Sequence, residues 1–267
     1  MADAVLSPHL DDAVLSCWRV LDRPEPATVV NVFTGAPAAG APVGWWDRIT
    51  GATDSAARMR EREIEDGEAL AVAGARARDL RLLDHQYRST SIGAAELAAA
   101  LEHALDADAV VHAPAAIDGH PDHVVVRDAA VRLATGARSL VLYADLPHAV
   151  RHGWPSWVTS EPGPPGIDVG ADWEAVLRRS GLVVDRLIPR AWPLDAAGRG
   201  RKLAALGAYR TQRTALDHLA FAPLDDPRTL AWEVTWDVPR SALRGVDEAG
   251  CEALVADAGG NTGDDRV

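Results

Sequence analysis

Lysine is nearly absent from this chain of 267 residues, and cysteine occurs only twice, at Cys17 and Cys251. Two distant cysteines give neither a disulfide framework nor a cysteine-type zinc site, and they suit a reducing compartment. No apolar run approaches the ~18 residues of a membrane span. The N-terminus shows no basic segment followed by an apolar one. A cytoplasmic protein with no membrane partner is therefore expected. The formal charge of −12 argues against a general nucleic-acid or anionic-membrane partner. Three sequence motifs are also missing. There is no Gly-x-Gly-x-x-Gly at the first turn, no Walker-type Gly-Lys-Ser/Thr and no Gly-x-Ser-x-Gly elbow. Dinucleotide binding, P-loop chemistry and a serine-hydrolase elbow lose their usual support.

What is present suits one soluble globular unit. Apolar residues make up 48% and charged residues 25%, ordinary values for a chain long enough to bury a core without staples. The apolar start at Val5-Leu6-Ser7 suits a buried strand, and 13–21 has helical spacing. Residues 28–35 read as a strand ending in glycine. Residues 55–73 read as a helix capped by Asp54 or Ser55 and stopped by Gly74. A short strand at 80–83, a helix at 93–106, a strand at 109–113, a helix at 123–135 and a strand at 139–144 follow. Strict alternation of strand and helix predicts a parallel, doubly wound sheet. Proline-rich 146–166 is expected as an irregular excursion. A helix near 171–181, a strand at 182–188, a helix at about 198–213 and a strand at 230–236 complete the reading. The expectation is a single α/β domain over 1–258, with a Rossmann-like, mostly parallel sheet flanked by helices and irregular loops over its C-terminal edge. The polar tail 259–267 is expected to be disordered.

Two segments carry the chemistry. His9, Asp11 and Asp12 fall on the turn between the first strand and the first helix. In open α/β sheets that edge is where ligands bind. Three polar groups between buried elements need compensation, which a divalent metal would supply. Either aspartate could instead cap the helix. Asp118-Gly119-His120-Pro121-Asp122-His123 follows the fourth strand in the same way, with Pro121 suited to a first helical turn. His9, Asp12 and one histidine of the second segment would make a three-ligand zinc site with an open position. His120 and His123, three apart, can share one face of a turn.

These segments resemble the paired signatures of the PIG-L/LmbE family of zinc-dependent N-acetylglucosaminyl deacetylases. The usual first signature is Pro-His-Pro-Asp-Asp. Here Leu10 replaces the middle proline and leaves the polar groups intact. The second, His-Pro-Asp-His, is unchanged. Arg62-Glu63-Ile64-Glu65-Asp66 is similar to the family's Arg-x-x-Glu helix. Lys202, Tyr209 and Gln212 are similar to its C-terminal helix, so the likeness covers about residues 3–237. The resemblance implies that His9, Asp12 and His123 bind Zn2+ (other divalent ions suit the same donors), with Asp11 as general base. It implies that His120 stabilises the oxyanion or protonates the leaving amine. Asp122 would orient a histidine from behind. Some members carry a tyrosine where this chain has Asp118. An ionised carboxylate cannot donate, so Asp118 is expected to contact substrate hydroxyls instead. Arg62 is expected to reach a substrate hydroxyl or phosphate, or else to pair with Glu65 on a solvated helix face.

The implied activity is hydrolysis of the acetamide of an N-acetylated amino sugar within a small glycoconjugate or secondary metabolite, such as an antibiotic precursor. A family amidase cutting a larger amide, such as a mycothiol S-conjugate, is the competing enzyme reading. A non-catalytic sugar-binding protein on the same scaffold is the other. Segments 84–88 and 145–148 also follow strands and are candidates for the rim of the site. Trp45, Trp46, Trp154 and Trp157 fall in loops, where they can stack on sugars or simply pack. Oligomeric state is not readable.

Overall fold

β1 (Asp3–Ser7) is apolar without alternation because both of its faces are covered. The structure is a computed structural model that describes residues 2–243, apart from 137 and 162. After β1 come α1 (Asp12–Ser16), α2 (Trp18–Leu21), β2 (Thr28–Asn31), α3 (Trp45–Ile49), α4 (Ser55–Ala73) and β3 (Arg76–Asp79). Next are α5 (Ala94–Ala104), β4 (Val110–Pro114), α6 (Pro121–Thr135), β5 (Leu140–Tyr143), α7 (Ser156–Thr159) and α8 (Val169–Arg178). The described chain ends through β6 (Ile188–Pro193), α9 (Ala196–Leu206), α10 (Arg213–Leu216) and β7 (Trp232–Val238).

The strands form one seven-stranded sheet in the order β3-β2-β1-β4-β5-β7-β6. The first five are parallel, whereas β7 runs antiparallel to both β5 and β6. The strand order leaves β1 toward β2 on one side and toward β4 on the other. That reversal opens a crevice at the strands' C-terminal ends, and both polar segments fall there. Tyr143 ties the two halves by donating its hydroxyl proton to the Leu6 carbonyl at 2.7 Å.

Several elements differ from the sequence reading. The third strand is Arg76–Asp79 rather than 80–83. All four of its residues are exposed at the sheet edge, so no apolar signal marks it; Leu83 contributes only an isolated bridge to Gly35. The strand expected at 182–188 begins only at Ile188, after a 3-10 turn over Val184–Arg186. The helix expected over 198–213 ends at Leu206, and a separate short helix starts at Arg213. The long loop after β2 carries α3. The α4 boundaries agree: Asp54 accepts from Ala56 and Ala57 backbone N–H groups at 2.8 and 3.0 Å, and Gly74 takes the left-handed conformation, φ 68°. The expected tail at 259–267, and Cys251, lie outside the described residues.

The C-terminal part braces the site from below. Lys202 on α9 is fully buried and donates to Glu233 on β7 at 2.7 Å. Glu233 also accepts the Trp18 and Arg19 backbone N–H groups at 2.8 and 2.9 Å, which satisfies the start of α2. Tyr209 donates to Asp66 at 2.8 Å, and Thr211 donates to Glu65 through both its backbone N–H and its hydroxyl. Two stretches about 140 residues apart in sequence thus meet directly.

Candidate active site

The turn after β1 is fixed by Ser7, whose hydroxyl donates to the His9 carbonyl at 2.6 Å and accepts from the Ala13 N–H at 3.0 Å. The His9 N–H donates to Asp12 Oδ2 at 2.8 Å. Asp11 occupies the N-cap position of α1 but makes no capping hydrogen bond. The capping alternative for Asp11 therefore does not hold. Both carboxylates are buried, and Asp11 faces the cavity.

α6 brings the second segment. Pro121 fills its first position, and His120 caps it by accepting the Asp122 N–H on Nδ1 at 3.2 Å. With Nδ1 used as an acceptor, the proton of the neutral ring sits on Nε2. Three atoms then converge: His9 Nδ1 lies 3.4 Å from Asp12 Oδ2, His123 Nε2 lies 3.3 Å from that same oxygen, and the two imidazole nitrogens are 3.3 Å apart. Ligands on a tetrahedral zinc with ordinary bond lengths sit roughly 3.3–3.5 Å from one another. The donor triangle has the size and chemistry of such a site.

The outer nitrogens are also engaged. His9 Nε2 is 3.1 Å from Asp122 Oδ2. Asp122 is fully buried, takes the His85 N–H at 2.9 Å and pairs with Arg88. His123 Nδ1 faces two carboxylates, Asp145 at 3.1 Å and Asp118 at 3.2 Å. Each imidazole thus turns one nitrogen to a carboxylate and the other to the shared point.

Electrostatics separate the two aspartates. Burial, helped by the neighbouring Asp12 charge, raises Asp11 to about 6. Burial also works against the charge of Asp12, but His123 and His9 outweigh it and hold Asp12 well below the usual carboxylate range. Burial opposes charging of His9, yet hydrogen bonds to Asp12 and Asp122 push it up to about 10. The surrounding carboxylates thus call for positive charge at the two ring nitrogens. Burial, with the charges of His9 and His123, lowers His120 to about 3, which agrees with its neutral capping form.

The cavity above these groups encloses about 580 Å³ of space, part of it open to solvent. His9, Asp11, Asp12, Arg62, Asp118, His120 and His123 all line it. Asp122 does not; it sits behind His9. Arg62 is buried, 4.0 Å from Asp84, and its Nε and Nη1 have no hydrogen-bond partner among the described residues. The solvated pair with Glu65 is absent, because Glu65 is occupied by Thr211. Asp118 lines the cavity, but its carboxylate is turned to the His120 N–H and to His123.

Sequence reasoning placed 84–88 and 145–148 on the right edge without assigning atoms. Asp84 lines the cavity beside Arg62, Asp145 backs His123, and Arg88 backs Asp122. Their signal was position just past a strand, which carries no partner information. Gln212 is buried and accepts from Trp46 Nε1 at 2.5 Å; nothing in the sequence joined those two residues.

Residues 4–134, which hold both segments, match the family model described as PIG-L, GlcNAc-PI de-N-acetylase. Likeness to solved structures extends over most of the chain. The A40926 pseudoaglycone deacetylase is 30% identical with a TM-score of 0.64, covering 90% of this chain and 98% of that one. The chain belongs to the PIG-L family. A triple mutant of a deacetylase involved in the teicoplanin biosynthetic pathway is 27% identical with a TM-score of 0.65, covering 90% of this chain and 99% of that one. The 2'-N-acetylparomamine deacetylase of Streptomyces fradiae is 35% identical over 162 residues, 54% of this chain and 57% of that enzyme's length. The PIG-L match ends within α6, so the edge of the crevice built by β5 and the later elements lies beyond it. No helix among the described residues is long and apolar enough to cross a membrane.

Proposed function

We propose that this protein is a zinc-dependent hydrolase that removes the N-acetyl group from an N-acetylglucosaminyl moiety of a small glycoconjugate. The observation that carries the reading is the convergence of His9 Nδ1, Asp12 Oδ2 and His123 Nε2 within 3.4 Å of one another, beside the buried Asp11 carboxylate, which caps no helix. The three relatives above, all deacetylases, support it.

His9, Asp12 and His123 would hold the cation. When bound, such an ion polarises a carbonyl and brings the pKa of water toward neutrality. The remaining work falls to the chain. Asp11 is buried, makes no capping hydrogen bond and is raised to about 6, which suits it to take a proton from the attacking water near neutral pH. His120 offers Nε2–H as a fixed donor to the carbonyl oxygen as that atom gains negative charge. Because its Nδ1 is engaged by the Asp122 N–H, His120 acts as a neutral donor. The proton for the departing amine then returns from Asp11. Arg62 and Asp84, a donor beside an acceptor, suit a sugar hydroxyl. Asp118 and Asp145 hold the His123 ring, and Asp122 holds His9.

The test is acetate release from N-acetylglucosaminides by the purified protein. Release that disappears in Asp11→Asn, with the metal content kept, supports the reading. Metal loss in that variant would mean that the two aspartates have exchanged roles. A filled metal site with no release from any N-acetylated sugar would favour a binding protein. Cleavage of thiol S-conjugates alone would favour the amidase.

A further inference from the structure

The floor and the mouth of the cavity differ in chemistry. The floor is polar: His9, Asp11, Asp12, Arg62, Asp84 and His120. The rest of the lining is mostly apolar, with Leu15, Trp46, Leu146, Pro147 and Leu216 beside Gln86 and His148. At the rim stands Trp45, the one exposed residue among the described lining residues, with 47% of its surface open. A large exposed indole carries a hydration cost that burial by a ligand would remove.

Trp45 is not on a loose loop. Its neighbour Trp46 meets it edge-to-face, with ring centroids 5.6 Å apart. The Trp46 backbone N–H donates to Gln86 Oε1 at 3.2 Å, and its indole N–H to Gln212 Oε1 at 2.5 Å. Fully buried Asp47 accepts the Tyr87 hydroxyl at 2.6 Å, and the Gly44 N–H donates to Ser55 Oγ at 3.0 Å. Gly44 has no space for a Cβ, because the Gln86 side chain fills it. These anchors hold α3 on α4, the 84–88 segment and the turn before α10. A rigid aromatic presented this way binds flat ligands at little entropic cost.

We propose that Trp45 is the platform for a flat, apolar group that the substrate carries beside its acetamido sugar. The substrate class is then an N-acetylglucosaminide of an aromatic aglycone, rather than a polar polyamine sugar. This rests on the reading above that the acetamide enters the polar floor. The acetamide and sugar hydroxyls take the charged groups below, and the aglycone leaves through the mouth across the indole face.

The test compares methyl N-acetylglucosaminide with its 2-naphthyl analogue. Dissociation constants are measured by calorimetry on the metal-loaded Asp11→Asn protein, and acetate release on the wild type. The naphthyl glycoside is expected to bind about tenfold more tightly, the order of magnitude of an offset aromatic stack with its buried area. Adding Trp45→Ala should remove that preference and leave methyl glycoside binding unchanged, and Trp45→Phe should restore part of it. Equal affinities for the two glycosides, or an equal loss for both in Trp45→Ala, would overturn the proposal. A Trp45-dependent preference without acetate release from either glycoside would support the platform and overturn the hydrolase reading.

Discussion

Asp11 and Asp12 are neighbours with opposite electrostatic fates. Asp12 is held ionised by two imidazoles, while at Asp11 burial and the like charge beside it outweigh the cationic influence of Arg62, His9 and His123. On the proposed mechanism the first arrangement suits a ligand and the second a base. Asp11→Asn is therefore expected to lower acetate release by about 10²–10⁴-fold, with one cation per chain still found by elemental analysis. Asp122 acts at one remove. It fixes His9 through Nε2 and is fully buried. Asp122→Asn is expected to weaken metal affinity by about 10–100-fold, measured by competition with a chelator, more than it changes turnover at saturating metal. His9, Asp11, Asp12, His120 and His123 were legible in sequence because each lies in a short run just past a strand. The partners of those residues were not. Nothing in the local pattern says that Asp145 and Asp118 share one nitrogen of His123, or that Arg62 is buried rather than solvated, since both facts depend on elements that meet only in the fold.

At the scale of elements, α4 and the segment after α9 are joined by buried polar pairs. Asp66 accepts from Tyr209 and Asn31 at 2.8 and 2.9 Å, yet burial outweighs these bonds and raises it to about 6 from 3.8. In the unfolded chain the group ionises near its ordinary value. Between about pH 4 and 6 the folded state therefore holds a proton that the unfolded state has released, and stability contributed by this group falls as pH rises through that window. Asp66→Asn is expected to flatten that part of a Tm-against-pH curve relative to the wild type; an unchanged slope would contradict the assignment. Lys202, the chain's single lysine, forms another buried pair, with Glu233. Lys202→Ala is expected to destabilise by about 3–5 kcal/mol, because Glu233 keeps a buried charge. Glu233 also serves the Trp18 and Arg19 N–H groups. Replacing both partners by apolar residues should therefore not restore full stability in a denaturant titration.

Over the whole molecule, the sheet order decides where chemistry can occur. The reversal between β1 and β4 puts two separate signatures on one crevice, and the alternation of strands and helices made that arrangement readable in advance. The far edges were less readable. β3 is wholly exposed and lacks an apolar pattern, and β6, with Pro189 and Pro193 in a mostly exposed run, does not read as a strand of a parallel sheet. The antiparallel pairing of β7 with β5 and β6 likewise depends on contacts between distant segments. What β7 adds is support, through Glu233 and the buried Trp236, rather than groups that line the crevice.

On the proposed function, one divalent cation, held by His9, Asp12 and His123, is required for amide hydrolysis in this crevice. Acetate release measured against metal content through stepwise chelation and re-addition tests it most directly. Activity should fall in proportion to the cation removed, return at one equivalent, and fail to return in His123→Ala. Full activity in protein shown by elemental analysis to be free of metal would contradict it.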